Sequence, residues 1–183
     1  MKELSLHILD IIDNSLRAGA NLIHLNIEED FGLNRIRISI KDNGRGIPAN
    51  LLSRAANPFF TTRATRRVGL GLSLFMKAAE RCGGFFNIDS AEDKGTKVEA
   101  EFRMDHIDLA PMGDIRGTIK GLIMGNPDID LVYSHQSGNR RFDLDTRAVR
   151  AEFGNAPFNH PLAMRYLFGV IDEGLDGLKK AGS

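Results

Sequence analysis

A single cysteine, Cys82, is all that the 183 residues contain. That excludes an internal disulfide framework and an all-cysteine metal cluster, and it suits a reducing compartment. Net charge is missing as well. The 24 basic side chains balance 24 acidic ones, so no bulk positive field favours nucleic acid or an anionic lipid surface. Any anion must be held by a local site. Long apolar runs are absent too: MKELSLHILDIIDNS at the amino terminus carries acidic residues where a secretory signal needs continuity, and no window approaches a membrane span. His106, His135 and His160 show no short metal-ligand spacing. There is no internal repeat and no low-complexity tract. The expectation is a cytoplasmic protein with one hydrophobic core plus a decorated edge or small second unit.

What is present is periodic. Leu4, Ile8, Ile11, Ile12 and Leu16 recur at about 3.6 residues and predict a helix over residues 3 to 17. Asp10, Asn14 and Arg17 form a second line on that helix at i, i+4 and i+7. Two alternating runs predict strands at 22 to 28 and 35 to 41, with Ile23, Leu25, Ile27 and Ile36, Ile38, Ile40 as inward sets. A second helix is expected from near Gly71 to a Gly83-Gly84 cap. FFNIDS and TKVEAEFR read as two more strands around an EDKG turn. This order fits a largely antiparallel sheet with its helices on one face, an α+β two-layer sandwich.

DNGRGI, residues 42 to 47, closes the second strand. Asp-Asn-Gly is good turn chemistry and by itself needs no ligand. The same residues also suit a nucleotide: the Asp42 carboxylate can accept from an exocyclic amine, while Gly44 and Gly46 permit close backbone approach to a flat ring. VGLGLS places Gly69 and Gly71 where a loop enters a helix, a geometry that offers backbone amides to an anion. Asn14 offers a neutral oxygen to Mg2+, and Arg17 offers directed donors to a terminal phosphate.

Together, and in this order, the segments resemble the gyrase, Hsp90, histidine kinase and MutL superfamily of ATP-binding domains. ILDIIDNSLRAGA is similar to its asparagine box, DNGRGI to its first glycine box, NPFFTT to the lid segment of bacterial sensor kinases, GLGLS to its second glycine box, and KGTKVEAEF to its final glycine-threonine strand. The resemblance covers residues 3 to 103 and implies the histidine kinase-like ATPase (Bergerat) fold. It also implies ATP and Mg2+ as cofactors. Asn14 would bind the metal, Asp42 the adenine amino group, and Thr96 would add a hydrogen bond near Asp42. Gly44 and Gly46 would shape the pocket floor, and Gly69 and Gly71 would open the lid backbone. Phe59 would belong to that lid, with Arg63 and Arg66 as further phosphate contacts.

The branches of the superfamily imply different outcomes. Arg17, PFFTTR and GLGLS resemble sensor kinases, implying γ-phosphate transfer to a partner protein in trans. No phosphoacceptor domain fits ahead of the first helix, and His7 reads as a structural residue. DNSLRAGA resembles mismatch-repair ATPases, but Asp10 stands where they carry a glutamate base. Two alternatives stay open: an ATP-gated interaction switch with little catalysis, and a MutL-like hydrolase using Asp10, with a homodimer completing the site. Residues 1 to 105 are assigned to the ATP-binding domain. Residues 106 to 183 are a small α/β extension lying outside the resemblance, either packed on the first domain or presenting a surface to a partner. Ile129, Leu131 and Tyr133 are expected to face its hairpin core, with fraying from Gly177 onward.

Overall fold

The computed structural model describes residues 3–50, 52, 70–154, 158 and 160–179. Helix α1 (Leu4–Arg17) leads into the antiparallel pair β1 (Leu22–Asp30) and β2 (Arg35–Asp42). After α2 (Leu70–Arg81) come β3 (Phe86–Ser90) and β4 (Thr96–Arg103). Then follow α3 (Ile115–Gly125), β5 (Asp130–Ser137), β6 (Arg140–Asp145), α4 (Thr146–Glu152) and α5 (Pro161–Lys179). The six strands form one sheet in the order β3-β4-β2-β1-β5-β6. This is a two-layer α/β sandwich with a mixed, mostly antiparallel sheet.

Alternation decides which face is covered. Ile23, Leu25, Ile27, Ile36, Ile38 and Ile40 point inward, as do Val98, Ala100 and Phe102 of β4. They meet the apolar stripes of α1 (Leu4, Ile8, Ile12), α2 (Leu72, Phe75, Ala79), α3 (Ile119, Leu122, Ile123) and α5 (Leu167, Ile171, Leu175). The opposite face carries ion pairs such as Arg37 with Glu101, whose N···O distance is 2.8 Å.

The C-terminal extension does not build a sheet of its own. Strand β5 pairs in parallel with β1, from Leu22 opposite Asp130 to Glu29 opposite Ser137, so the hairpin β5-β6 continues the sheet begun by residues 22 to 42. Leu131 and Tyr133 are fully buried in the common core, while Ile129 precedes the strand and is partly buried. The first turn of α1 has no side-chain cap. Its Leu4 and Ser5 amides donate instead to Pro111 and Met112 carbonyls of the extension, both at 2.9 Å. Residues 177–179 are not frayed: α5 continues to Lys179, with Leu178 buried and the Gly177 carbonyl accepting from Arg140 at 2.9 Å, while the rest of the expected frayed tail, 180–183, lies outside the described residues.

His7 is buried on α1, stacks on Phe75 of α2 with ring centroids 5.4 Å apart, and leaves its Nδ1 without a hydrogen-bond partner among the described residues. Burial depresses its pKa to about 4. Between that value and the ordinary value of 6.5 the unfolded chain binds more protons than the folded one. Stability therefore falls as pH drops through this window, by up to about 1.4 kcal/mol per pH unit. His7→Leu removes the titrating ring and the orphaned nitrogen. It is expected to raise stability at neutral pH by about 1 kcal/mol and to flatten the slope below pH 6.5, as read from denaturant melts across pH.

Candidate functional site

The inward alternation of β2 does not stop at Ile40. Asp42 is next in phase, so the strand carries its carboxylate to the inner face at the sheet's end, where it is only 5% exposed. Three donors converge on it. The Ser15 hydroxyl lies 2.6 Å from Oδ2, while the Gly44 and Thr96 amides reach Oδ1 at 2.9 and 3.2 Å. A simple surface turn would leave this carboxylate in water.

Asp42 opens onto a cavity of about 110 Å³. Ile11, Ile40, Ile47, Leu72 and Val98 supply apolar walls, and Asn14, Arg17 and Arg45 supply polar ones. An acceptor-only carboxylate beside flat apolar walls fits a purine with an exocyclic amine. An amide oxygen and two guanidinium groups fit a phosphate chain and its metal. The donor set therefore matches a Mg2+ nucleotide, with Asp42 and Asn14 held by different elements.

Of the residues singled out in the sequence, Asn14, Arg17, Asp42, Gly46 and Thr96 line this cavity together. Thr96 reaches Asp42 through its backbone amide; its hydroxyl lies 2.9 Å from that of Ser90. Gly44 sits behind Asp42, where a Cβ would meet Ala18 at 3.0 Å. Asp10 and Gly71 contact each other rather than the cavity: a Cβ on Gly71 would lie 3.0 Å from that of Asp10, so this glycine lets α1 and α2 approach closely. Burial, reinforced by nearby Asp13 and opposed by Arg17, raises the Asp10 pKa above the usual aspartate value. Phe59, Arg63, Arg66 and Gly69 lie outside the described residues.

Gly46 and Gly95 lock two turns together. Gly46 has φ +67°, and a Cβ there would fall 1.9 Å from the Ala91 carbonyl oxygen. Gly95 has φ +80°, and its Cβ would fall 2.0 Å from the Asp42 carbonyl oxygen. The turn at 42–47 is thus pressed against the turn at 91–95, and the Asp93 amide donates to Arg45 at 2.7 Å. That packing fixes the backbone on either side of the Asp42 carboxylate.

Two polar lining residues, Ser15 and Arg45, were not singled out in the sequence. Ser15 follows Asn14 but belongs to the buried stripe of α1, four residues after Ile11. A hydroxyl in an apolar stripe needs a buried partner, and that was the available signal. Arg45 is exposed in the DNGRGI turn and gave no signal beyond its charge.

Comparison with known proteins agrees with this fold. A putative sensor histidine kinase NtrY-like protein of Rickettsia typhi is 31% identical over 85 residues, 46% of this chain and 13% of its own length. Sporulation kinase A of Bacillus subtilis is 28% identical over 102 residues, 56% of this chain and 16% of its own length. The chain thus spans a small fraction of these relatives. The solved N-terminal domain of a DNA repair protein superposes with a TM-score of 0.53 at 18% identity, covering 79% of this chain and 53% of that one, a likeness of fold. Residues 2–106 match the Histidine kinase-, DNA gyrase B-, and HSP90-like ATPase family, and the chain belongs to it.

Proposed function

We propose that this protein binds ATP with Mg2+ and transfers the γ-phosphate to a side chain of a partner protein in trans. The observation that carries this reading is the single cavity wall formed by α1 and the end of β2, with the Asp42 acceptor, Asn14 and Arg17 all lining one cavity. Asp42 selects the amino-bearing base, Asn14 offers its amide oxygen to the metal, and Arg17 orients the terminal phosphate. Family membership and the kinase names of the sequence relatives support transfer as the outcome. The chain's own contribution would be positioning and charge compensation for an in-line displacement.

Hydrolysis with Asp10 as base has one observation in its favour, the raised basicity of that carboxyl. Its contact with Gly71, away from the cavity lining, places it behind transfer.

Calorimetric titration with AMP-PNP, with and without Mg2+, tests the binding reading. Mg2+ is expected to tighten binding to the parent protein, and Asn14→Ala is expected to remove about tenfold of that gain while leaving metal-free binding in place. An unchanged metal dependence would remove Asn14 from the metal site. γ-Labelled ATP then separates the outcomes. Label reaching other proteins of the source cell only when this protein is added, and lost in Arg17→Ala, supports transfer. Free phosphate release lost in Asp10→Asn supports hydrolysis. Binding with neither supports an ATP-gated switch.

A further inference from the structure

A cavity larger than that at Asp42 lies elsewhere. It encloses about 400 Å³ and shares no lining residue with the Asp42 cavity. That volume falls within the range of small-molecule sites. Its residues come from the end of β1, the loop into α3, the end of β5 and the last turns of α5, so the family domain and the extension build it together.

At its base is a polar chain that the nucleotide reading does not use. The Tyr133 hydroxyl lies 2.8 Å from Nδ1 of His135, and His135 Nε2 lies 3.0 Å from Glu29 Oε1. The Ser137 hydroxyl donates to Glu29 Oε2 at 3.1 Å. A tautomer protonated at Nε2 satisfies both ring contacts, with Tyr133 donating and Glu29 accepting. Tyr133 is fully buried and His135 is 5% exposed. The hydrogen bond from His135 holds the Glu29 carboxyl below its ordinary pKa despite its partial burial. Glu29 is thus a fixed negative charge facing a roomy cavity, and a carboxylate oxygen with one donor keeps a lone pair for another.

Several of the other charges described around the cavity pair with one another. Arg116 pairs with Asp172 and Asp176, and Lys120 shares Asp172, which makes a neutral cluster of two cations and two anions. Asp114 is exposed and spends one oxygen capping α3 through the Gly117 amide. Lys179, which also lines the cavity, is exposed. Among the described residues, Glu29 is held by an imidazole and a hydroxyl, those of His135 and Ser137, rather than by a lysine or arginine. Ile115, Leu175 and Leu178 wall the rest, and Phe31, 61% exposed, supplies an aromatic face.

We infer that this cavity is a second binding site, for a small organic monocation with an apolar body, such as a primary amine whose ammonium group meets Glu29 while its body lies against Ile115, Leu175 and Phe31. An ammonium supplies the donors that the carboxylate can still accept, and the aromatic face adds cation–π attraction.

The test uses phenethylammonium and its neutral counterpart 2-phenylethanol, titrated into the full chain and followed by amide chemical shifts. Saturable binding of the amine at the Gly113, Ile115 and Ser137 signals is expected, with the alcohol weaker by about tenfold. Glu29→Gln, which keeps the shape and the His135 contact, is expected to lose the same factor. Saturating AMP-PNP should leave amine binding in place. No saturable shift, equal affinity for the two probes, unchanged binding in Glu29→Gln, or displacement by AMP-PNP would each overturn the assignment. The probe comparison is made on the parent protein, so it stands even if the variant folds poorly.

Discussion

Asp42→Asn is expected to weaken AMP-PNP binding by about 10- to 100-fold, the value of a hydrogen bond to a charged acceptor, while leaving the protein folded. The geometry separates the two effects. Asn can still accept from the Gly44 and Thr96 amides through its carbonyl oxygen, in place of Oδ1. Its amide nitrogen then replaces Oδ2, and the Ser15 hydroxyl can turn to the Ile11 carbonyl at 3.3 Å and present a lone pair instead of a proton. No buried donor is stranded. On the proposed reading, an exocyclic amine that met an acceptor now meets a donor. A base carrying a carbonyl at that position loses less, so the preference for ATP over GTP should narrow along with the affinity. Calorimetry with both nucleotides and a thermal melt check this. Unchanged ATP affinity in a folded variant would remove Asp42 from base recognition.

Much of the site could be seen in the sequence because it rests on local periodicity. The phase of β2 runs Ile36, Ile38, Ile40 and then Asp42, so parity alone puts this carboxylate with the core residues. Asn14 and Arg17 follow from helical spacing in the same way. What parity does not reveal is a partner distant in the chain. Ser15 meets Asp42 across 27 positions, and nothing near either residue names the other.

The place of the extension was hidden for a similar reason. Hairpin signals identify β5 with β6, but the parallel pairing of β5 with β1 spans a long crossover. One clue was available. A four-stranded sheet would have left β1, nine residues long, as an open edge, and LIHLNIEED has no proline and no inward charge in its first six residues to guard it. An unguarded edge asks for a covering strand, and β5 supplies it. The cavity at Glu29 was beyond reach in the sequence, because four separated segments build it.

Gly46→Ala is expected to destabilise the protein more than any other single change considered. The glycines of DNGRGI suggest room for a ligand ring, yet the direction of the missing Cβ at Gly46 is filled by protein. An added methyl would fall 1.9 Å from the Ala91 oxygen and 2.8 Å from its carbonyl carbon, both rigid backbone atoms. Holding alanine at φ +67° adds about 1–2 kcal/mol, and the forced separation of packed backbone adds about 1–3 kcal/mol more. The two turns cannot part without loosening the Asp93 to Arg45 hydrogen bond at 2.7 Å and the Ile47 amide's bond to Ser90 Oγ at 2.8 Å. The sum is about 2–5 kcal/mol, a large share of a typical folding free energy, and at this chain length it lowers Tm by about 10 °C. Gly121→Ala is the control of opposite sign. It sits within α3 with nothing among the described residues inside 4 Å of its Cβ position, so alanine there should stabilise by about 0.5–1 kcal/mol. Thermal and urea melts of the pair read the contrast directly. If Gly46→Ala stayed within about 1 kcal/mol of the parent, well below the combined strain and overpacking, the two turns would not be locked as the backbone contacts require. Asp42 would then owe its position to Ser15 and the sheet alone.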